Sequence, residues 1–263
     1  MKVTKSIAAA MIACCAFASI NAFAEEPAAE ADKCPVGVYA GTEIKSGYLS
    51  NGYLFADDAV LQSYAGITAF GFDLNIWNSW DVEKSHYADP DASNEIDYEL
   101  DYSYSYGDFD FKVGVASWVY PNTDDSFDDW VAKAFISYNG FFVTPEINAR
   151  FGLDGQQGCY GQFKLSKSID IVDNLSMDVY GLAAYASKSW RKGKGSDDDG
   201  FVDAEFGVSL GFALTDNISL SAGAVYSVVL ESDLRDAIDD GTAFQADGDK
   251  DHFIFYGGIS AGF

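Results

Sequence analysis

The stretch Glu95-Ile96-Asp97-Tyr98-Glu99-Leu100-Asp101-Tyr102-Ser103-Tyr104-Ser105-Tyr106 decides the fold, because polar and apolar residues alternate along its whole length. A repeat of two residues is that of a β-strand, whose successive side chains point to opposite faces. The even positions therefore form one apolar face, and the odd positions form a face of carboxylates and hydroxyls. Such a strand belongs either to a half-buried sheet of a soluble protein or to a membrane barrel, with apolar side chains toward lipid and polar ones toward the lumen.

The N-terminus indicates export. Lys2 and Lys5 precede an apolar stretch at residues 7–20, and Ala22-Phe23-Ala24 has the pattern of a cleavage site. We therefore expect residues 1–24 to be a signal peptide. No later segment of the sequence has the roughly 18 consecutive apolar residues that a membrane-spanning helix needs.

The C-terminus indicates insertion into an outer membrane. The sequence ends at Phe263, and Phe255 and Ile259 lie on the same face of an alternating last strand. A terminal aromatic on such a strand resembles the insertion signal of bacterial outer-membrane barrels, which the barrel assembly machinery reads. We expect residues 25–36 to be a periplasmic leader and residues 37–263 to be a single barrel domain.

The charge of the chain limits its partners. It has 41 acidic residues against 16 lysines and arginines, with a formal net charge of −25. Nucleic acid is excluded as a partner because its phosphates require a basic surface. Anionic headgroups are not expected as the main partner for the same reason.

Twelve strands are predicted, and their connections alternate between short turns and mostly longer loops. The short turns carry Gly, Asn and Asp, which tolerate positive φ, whereas most of the longer loops are rich in Asp, Ser, Gly and Asn. An all-β transmembrane antiparallel barrel has this alternation, with short periplasmic turns and long outer loops. The predicted strands are 37–50, 59–70, 72–83, 95–106, 109–120, 129–139, 141–152, 158–170, 175–189, 201–213, 218–230 and 251–263.

The polar faces of these strands predict an acidic lumen. Twelve strands lie between barrels filled by side chains and barrels with an open channel, so the inward side chains set the bore. Lys133, Arg150 and Lys164 oppose the inward acids only in part, and a wall of one sign concentrates counter-ions. We therefore expect a preference for cations. The predicted pore-lining residues are Asp73, Glu95, Asp97, Glu99, Asp101, Asp110, Lys112, Asp178, Asp203 and Glu205.

The sequence offers little for catalysis, and we predict that the protein is not an enzyme. His86 and His252 are its two histidines, and neither lies in a hydrolase or metal-binding motif. A barrel enzyme that uses His252 with Asp251 at the outer rim stays a minor alternative. Acidic loops such as 247–251 favour solvation, with bridging of lipopolysaccharide phosphates by divalent ions as the functional alternative. No cofactor is implied.

Five segments resemble one family. They are Ser46–Phe55, Val60–Gln62, Leu74–Asn78, Ile96–Tyr102 and Leu230–Ala237. They are similar to the bacterial outer-membrane porin family known as TorF-like, conserved hypothetical β-barrel proteins. The resemblance implies an outer-membrane barrel with an assumed transport role. It brings no catalytic residues, and most members have no assigned substrate.

The sequence thus predicts a porin-like channel for passive diffusion of small solutes or ions, exported through the periplasm to a Gram-negative outer membrane. Its expected partners are outer-membrane lipid and lipopolysaccharide, the barrel assembly machinery, small solutes or cations, and in one alternative further copies of itself. A barrel without transport, used for adhesion, ligand binding or membrane stabilisation, is the second reading, and residues 231–250 folding inward as a plug would favour it. A secreted soluble sandwich is the remaining alternative.

Overall fold

The computed structural model describes residues 36–82, 94–121, 128–155, 157–192, 194–196, 198–243 and 246–263. The expected signal peptide, the leader up to residue 35, and His86 lie outside these residues. None of the helices in the described ranges has the length and apolar character needed to span a membrane. The elements are β1 (Val36–Lys45), β2 (Tyr48–Ser50), β3 (Tyr53–Ala56), β4 (Val60–Ala69), β5 (Phe72–Asp81), β6 (Asn94–Tyr106), β7 (Phe109–Val119), β8 (Asp129–Tyr138), β9 (Thr144–Asp154), β10 (Cys159–Val172), β11 (Leu175–Ala186), α1 (Lys188–Arg191), β12 (Gly200–Ala213), β13 (Ile218–Val229), α2 (Ser232–Asp239) and β14 (Asp251–Gly262).

Twelve antiparallel strands form a closed barrel, as the sequence predicts. Each of β4 to β14 pairs with its neighbour along the chain, and β1 closes the barrel between β14 and β4. The remaining strands, β2 and β3, form a separate two-stranded sheet. Because the number of barrel strands is even, the chain enters β1 and leaves β14 at the same rim, which is the rim with the short turns.

Three predicted strand boundaries are wrong by three residues or more. The strand predicted to end at residue 189 ends at Ala186, and α1 begins at Lys188. The first strand was expected to reach residue 50, but it ends at Lys45, and the chain bends at Ser46-Gly47 before β2 begins. The predicted start at residue 141 is also early, since β9 begins at Thr144. Phe141 and Phe142 belong instead to the preceding turn, where both are exposed, so this connection is longer than the predicted Asn139-Gly140 turn.

The outer surface of the barrel is apolar. In β6, Tyr104 is 55% exposed, whereas Asp101 on the other face is 2% exposed. The same pattern recurs on the other strands, where leucine, isoleucine, valine and phenylalanine point outward. Contiguous apolar surface of this extent is not found on soluble monomers, and it matches the lipid-facing band of a membrane barrel. The tyrosine face of β6 is therefore the lipid face.

A charged residue, Lys167, falls on the otherwise apolar face of the strand predicted at residues 158–170. It lies on the outward face of β10, toward the short-turn end. Its ammonium group lies 4.7 Å from the ring centroid of Phe142 in the neighbouring turn. A lysine near a barrel end is tolerated because its head can reach the interface, and the aromatic ring adds a cation–π contact.

Candidate pore and its inserted hairpin

The ten predicted pore-lining residues all lie on strand positions that point into the barrel. Most of their side chains are buried, and Asp97, Glu99 and Asp110 are partly exposed. Asp110 lies near the short-turn rim, where its carboxylate accepts hydrogen bonds from Ser105 Oγ and Asn139 Nδ2, both at 2.6 Å. The alternation of β-strands is thus enough to place these charges on the inner wall.

A pair of salt bridges joins β6 to β8 in the lumen. The Lys133 ammonium lies 3.0 Å from both the Glu99 and the Asp101 carboxylates. The Asp101 side chain also needs Gly114 beside it, because a Cβ there would lie 1.8 Å from Asp101 Oδ1. On the neighbouring side, Tyr39 Oη donates to Asp73 at 2.8 Å. Two carboxylates of β6 thus share the Lys133 ammonium.

Four more charged side chains lie inside the barrel. Lys164 is among the predicted inward bases, whereas Glu43, Lys45 and Glu146 are not among the predicted residues. Lys164 pairs with Glu146 at 2.6 Å, and Lys45 lies 3.3 Å from Glu43. Glu43 and Lys45 alternate on β1 with the same period of two that revealed the other acids, so this signal was available in the sequence. Asp178, by contrast, accepts its hydrogen bond from the Ser168 hydroxyl.

The sequence did not predict the hairpin formed by β2 and β3, which is buried inside the barrel. Asn51 and Gly52 form its tip, with φ values of 53° and 81°. Two positive φ values are the mark of a type I′ turn, for which Asn-Gly is a favoured pair. Residues 48–56 are buried apart from Ser50, which is partly exposed. The Asn-Gly pair between aromatic and apolar residues was a readable hairpin signal, but it was assigned to an outer loop.

Polar contacts fix both ends of this hairpin. Tyr48 Oη donates to Glu95 at 2.6 Å, and the same carboxylate accepts from Tyr120 Oη at 3.1 Å. At the tip, the Arg150 guanidinium donates to the side-chain carbonyl of Asn51. Glu95 and Arg150 are therefore engaged by the hairpin, and Glu95 does not face an open channel.

Apolar side chains fill the outer half of the lumen around the hairpin. Aromatic residues dominate this cluster: Trp190 stacks on Tyr160 at 5.8 Å between centroids and meets Trp118 edge-on at 6.1 Å. Leu234 and Ile238 of α2 are buried in the same cluster. The cluster comprises Tyr48, Tyr53, Phe55, Ala56, Val60, Trp77, Ala116, Trp118, Tyr120, Val131, Tyr160, Ala184, Ala186, Trp190, Val202, Val229, Leu234 and Ile238.

The last outer loop packs over this cluster. Glu231 caps the N-terminus of α2 by accepting from the backbone of Asp233 and Leu234, and it also pairs with the buried Arg191 at 3.3 Å. Ala246 N donates to Leu54 O of the hairpin at 2.8 Å. Residues 231–243 and 246–250 of the loop therefore pack against the apolar cluster and the hairpin at the outer end.

The structure does not bring Asp251 and His252 together as a rim pair. Asp251 points outward and accepts a hydrogen bond from Tyr226 Oη at 3.0 Å. His252 points inward, is buried, and has its Nδ1 atom 3.6 Å from Asp247. The two side chains separate because adjacent strand residues face opposite ways.

No group of three or more acidic, histidine or cysteine side chains within the described ranges has the arrangement of a metal site. In the acidic loop that follows β13, the Asp239 carboxylate forms an ion pair with the Lys250 ammonium rather than part of a metal site.

The fold resembles that of solved outer-membrane porins. No protein-family profile matches the sequence. No curated protein matches it either. The chain is similar to KdgM porin, with a TM-score of 0.52 and 11% identity over 86% of this chain and 99% of that one.

Two further structures are similar. KdgM porin in complex with disordered oligogalacturonate gives a TM-score of 0.52 at 10% identity, with the same coverage of 86% and 99%. An outer membrane channel from Pseudomonas putida F1 gives 0.45 at 11% identity, over 90% of this chain and 100% of that one. The chain thus has the fold of an outer-membrane porin-type barrel. With its apolar outer belt, it is a protein of the outer membrane.

Proposed function

We propose that the protein is an outer-membrane channel for passive diffusion of small solutes or ions, with a preference for cations. The observation that carries this proposal is the excess of acids on the inner wall. The inward acids include Glu43, Asp73, Asp81, Glu95, Asp97, Glu99, Asp101, Asp110, Glu146, Asp178, Asp203 and Glu205, and the inward bases include Lys45, Lys112, Lys133, Arg150 and Lys164. Carboxylates on a low-dielectric wall attract cations and repel anions.

Reversal potentials in a planar bilayer test this function. In a gradient of potassium chloride, a cation-preferring channel shifts the reversal potential toward that of potassium. The neutral variant Asp73→Asn with Asp178→Asn should lower the cation-to-anion permeability ratio by about twofold or more, because two inward charges are lost. Asp251→Asn is the matched control, since this carboxylate faces outward. An anion preference, or no conductance of the folded protein either with or without its β2–β3 hairpin, contradicts the proposal.

The oligogalacturonate of the KdgM complex is not carried over to this chain. Galacturonate units bear carboxylates, and an acidic lumen repels them. The proposal therefore concerns cations and small uncharged solutes.

Three further predictions from the sequence, on the family, on catalysis and on the insertion signal, belong to the same proposal. We infer membership of the TorF-like porin family, absence of catalysis, and recognition of Phe255, Ile259 and Phe263 by the barrel assembly machinery. Phe255, Ile259 and Phe263 are exposed on the outer face, which supports their role as an insertion signal. The other inferred partners are lipopolysaccharide at the outer rim and further copies of the same chain.

A barrel without transport is the second candidate, and the inserted hairpin favours it. A lumen filled permanently in its outer half would carry no current. The bilayer measurement separates the two functions, provided that the same preparation shows heat-modifiable gel mobility as proof of folding.

A further inference from the structure

The inserted hairpin lies across the path that any solute would take. From its base at β1, its tip reaches Arg150 on β9 and the region of Asp203 on β12. A Cβ on Gly52 would lie 2.5 Å from Asp203 Oδ1 and 2.7 Å from Val202 Cγ1. The tip therefore touches the opposite wall of the barrel, and only glycine fits there.

The hairpin is not built into the wall that surrounds it. Its two strands pair only with each other, so no ladder of backbone hydrogen bonds joins them to a barrel strand. An isolated two-stranded hairpin is at best marginally stable in water. It is held in place by the apolar cluster, by the Tyr48–Glu95 and Arg150–Asn51 hydrogen bonds, and by one backbone hydrogen bond from Ala246 N to Leu54 O.

The inserted position also has an unfavourable side. The Tyr53 hydroxyl on the hairpin is buried, and it has no hydrogen-bond partner among the described residues. A buried polar group without a partner opposes the state that buries it. Withdrawal of the hairpin would return water to the Tyr53 hydroxyl, which offsets part of the cost of exposing apolar area.

We propose that the β2–β3 hairpin is the gate of this channel, closed in the present structure and opened when its hydrogen bonds to Glu95, Arg150 and Ala246 release. This proposal rests on the proposed function. The Tyr48–Glu95 and Asn51–Arg150 contacts act as two latches, one at each end of the hairpin. When they release, the hairpin moves as a unit about Ser46-Gly47 and residues 57–59, and the acidic inner wall becomes continuous with the outer mouth.

The test compares single-channel recordings of four proteins. Tyr48→Phe with Asn51→Gly removes both latches, and glycine keeps the positive φ of the turn. In a second variant a short Gly-Ser linker replaces residues 48–56. Tyr226→Phe is the matched control, because it removes a tyrosine–carboxylate hydrogen bond outside the lumen. Heat-modifiable mobility establishes that each protein is folded.

The two latch bonds set the expected size of the effect. Loss of two ordinary hydrogen bonds should raise the open-to-closed ratio by about tenfold or more. The linker variant should stay open, and Tyr226→Phe should behave as the wild type.

Two contrary results separate failure of the gate from failure of the channel function. If the linker variant and the wild type conduct equally, the channel stands and the gate is wrong. If no folded variant conducts, including the linker variant, the channel function itself is wrong, and the gate falls with it.

Discussion

At the scale of single residues, Lys133 shows why charges are tolerated inside this barrel. It lies between Glu99 and Asp101 at 3.0 Å from each, so removing its charge leaves the buried Asp101 carboxylate beside the partly exposed Glu99 carboxylate with no cation between them. Breaking a buried pair from one side is costly, typically several kcal/mol. Lys133→Met should therefore lower the free energy of unfolding by about 3 kcal/mol. Urea unfolding in lipid vesicles measures this change.

Lys167→Met is the control for Lys133. The Lys167 ammonium lies against the Phe142 ring on the lipid side, near the barrel end. Its replacement should change stability by less than about 1 kcal/mol, since charge near the interface costs little. Equal losses for the two variants would show that the Lys133 network contributes nothing beyond side-chain packing.

Lys194 in the loop before β12 gives a prediction on pH. Its ammonium lies 5.4 Å from the ring centroid of Tyr53, and burial lowers its pKa to about 8. The unfolded chain has an ordinary lysine pKa of about 10.4, so it binds more protons than the folded chain between these values. The cost of burying the Lys194 charge therefore falls as pH rises from about 8 to 10.4, and the free energy of unfolding increases over this range. Below about pH 8 the full cost applies.

Lys194→Met should flatten this increase, as measured by urea unfolding at several pH values from 7 to 10. Lys192→Met is the control, because Lys192 is exposed in the same loop. A profile of Lys194→Met that parallels the wild type would contradict the assigned burial of the charge.

At the scale of elements, tyrosines fill the space above glycines on neighbouring strands. Directly opposed pairs are Tyr39 with Gly66, Gly41 with Tyr64, Tyr180 with Gly207, and Gly223 with Tyr256. At Gly207 a Cβ would lie 1.9 Å from the Tyr180 ring. Interior rings thus lie flat against the wall, a device that also pins the strand register.

Gly207→Ala should therefore destabilise the barrel by about 1–3 kcal/mol, because the Tyr180 ring must leave its place. Gly161→Ala is the matched control, since its nearest neighbour would be Asn148 O at an ordinary 3.7 Å. Urea unfolding of both variants checks the difference. If Gly207→Ala is as stable as Gly161→Ala, the close approach of ring and glycine is not structurally important.

How far the sequence predicts each element depends on what its pattern encodes. Alternation fixed the inward acids of β6 and the twelve barrel strands, because period two has only one structural meaning on an amphipathic strand. It could not place the hairpin at residues 48–56, where both faces are apolar or aromatic and no face is marked as outward. Which loop enters the lumen depends on contacts distant in sequence, such as Asn51 with Arg150.

At the scale of the whole molecule, the lumen is divided into two halves of different character. The outer half contains the apolar cluster, and its small wall residues Ala116, Ala184 and Ala186 are fully buried. In the inner half, wall residues such as Ser105 and Ser168 are exposed. The barrel interior therefore resembles a soluble protein core at its outer end and is accessible to solvent near the short-turn rim.

This division predicts the reactivity of cysteines introduced on the wall, in a background with Cys34 and Cys159 replaced by serine. Ser168→Cys should react with a charged thiol reagent at close to the rate of an accessible thiol, because its side chain meets solvent. Ala184→Cys should react more slowly by about tenfold or more, because water is excluded from a close-packed apolar cluster. Labelling kinetics in detergent micelles measure both rates, and equal rates would mean that the outer half is wet. Replacing residues 48–56 by the short linker should then raise the rate at Ala184→Cys and leave that at Ser168→Cys unchanged, because the hairpin seals only the outer half.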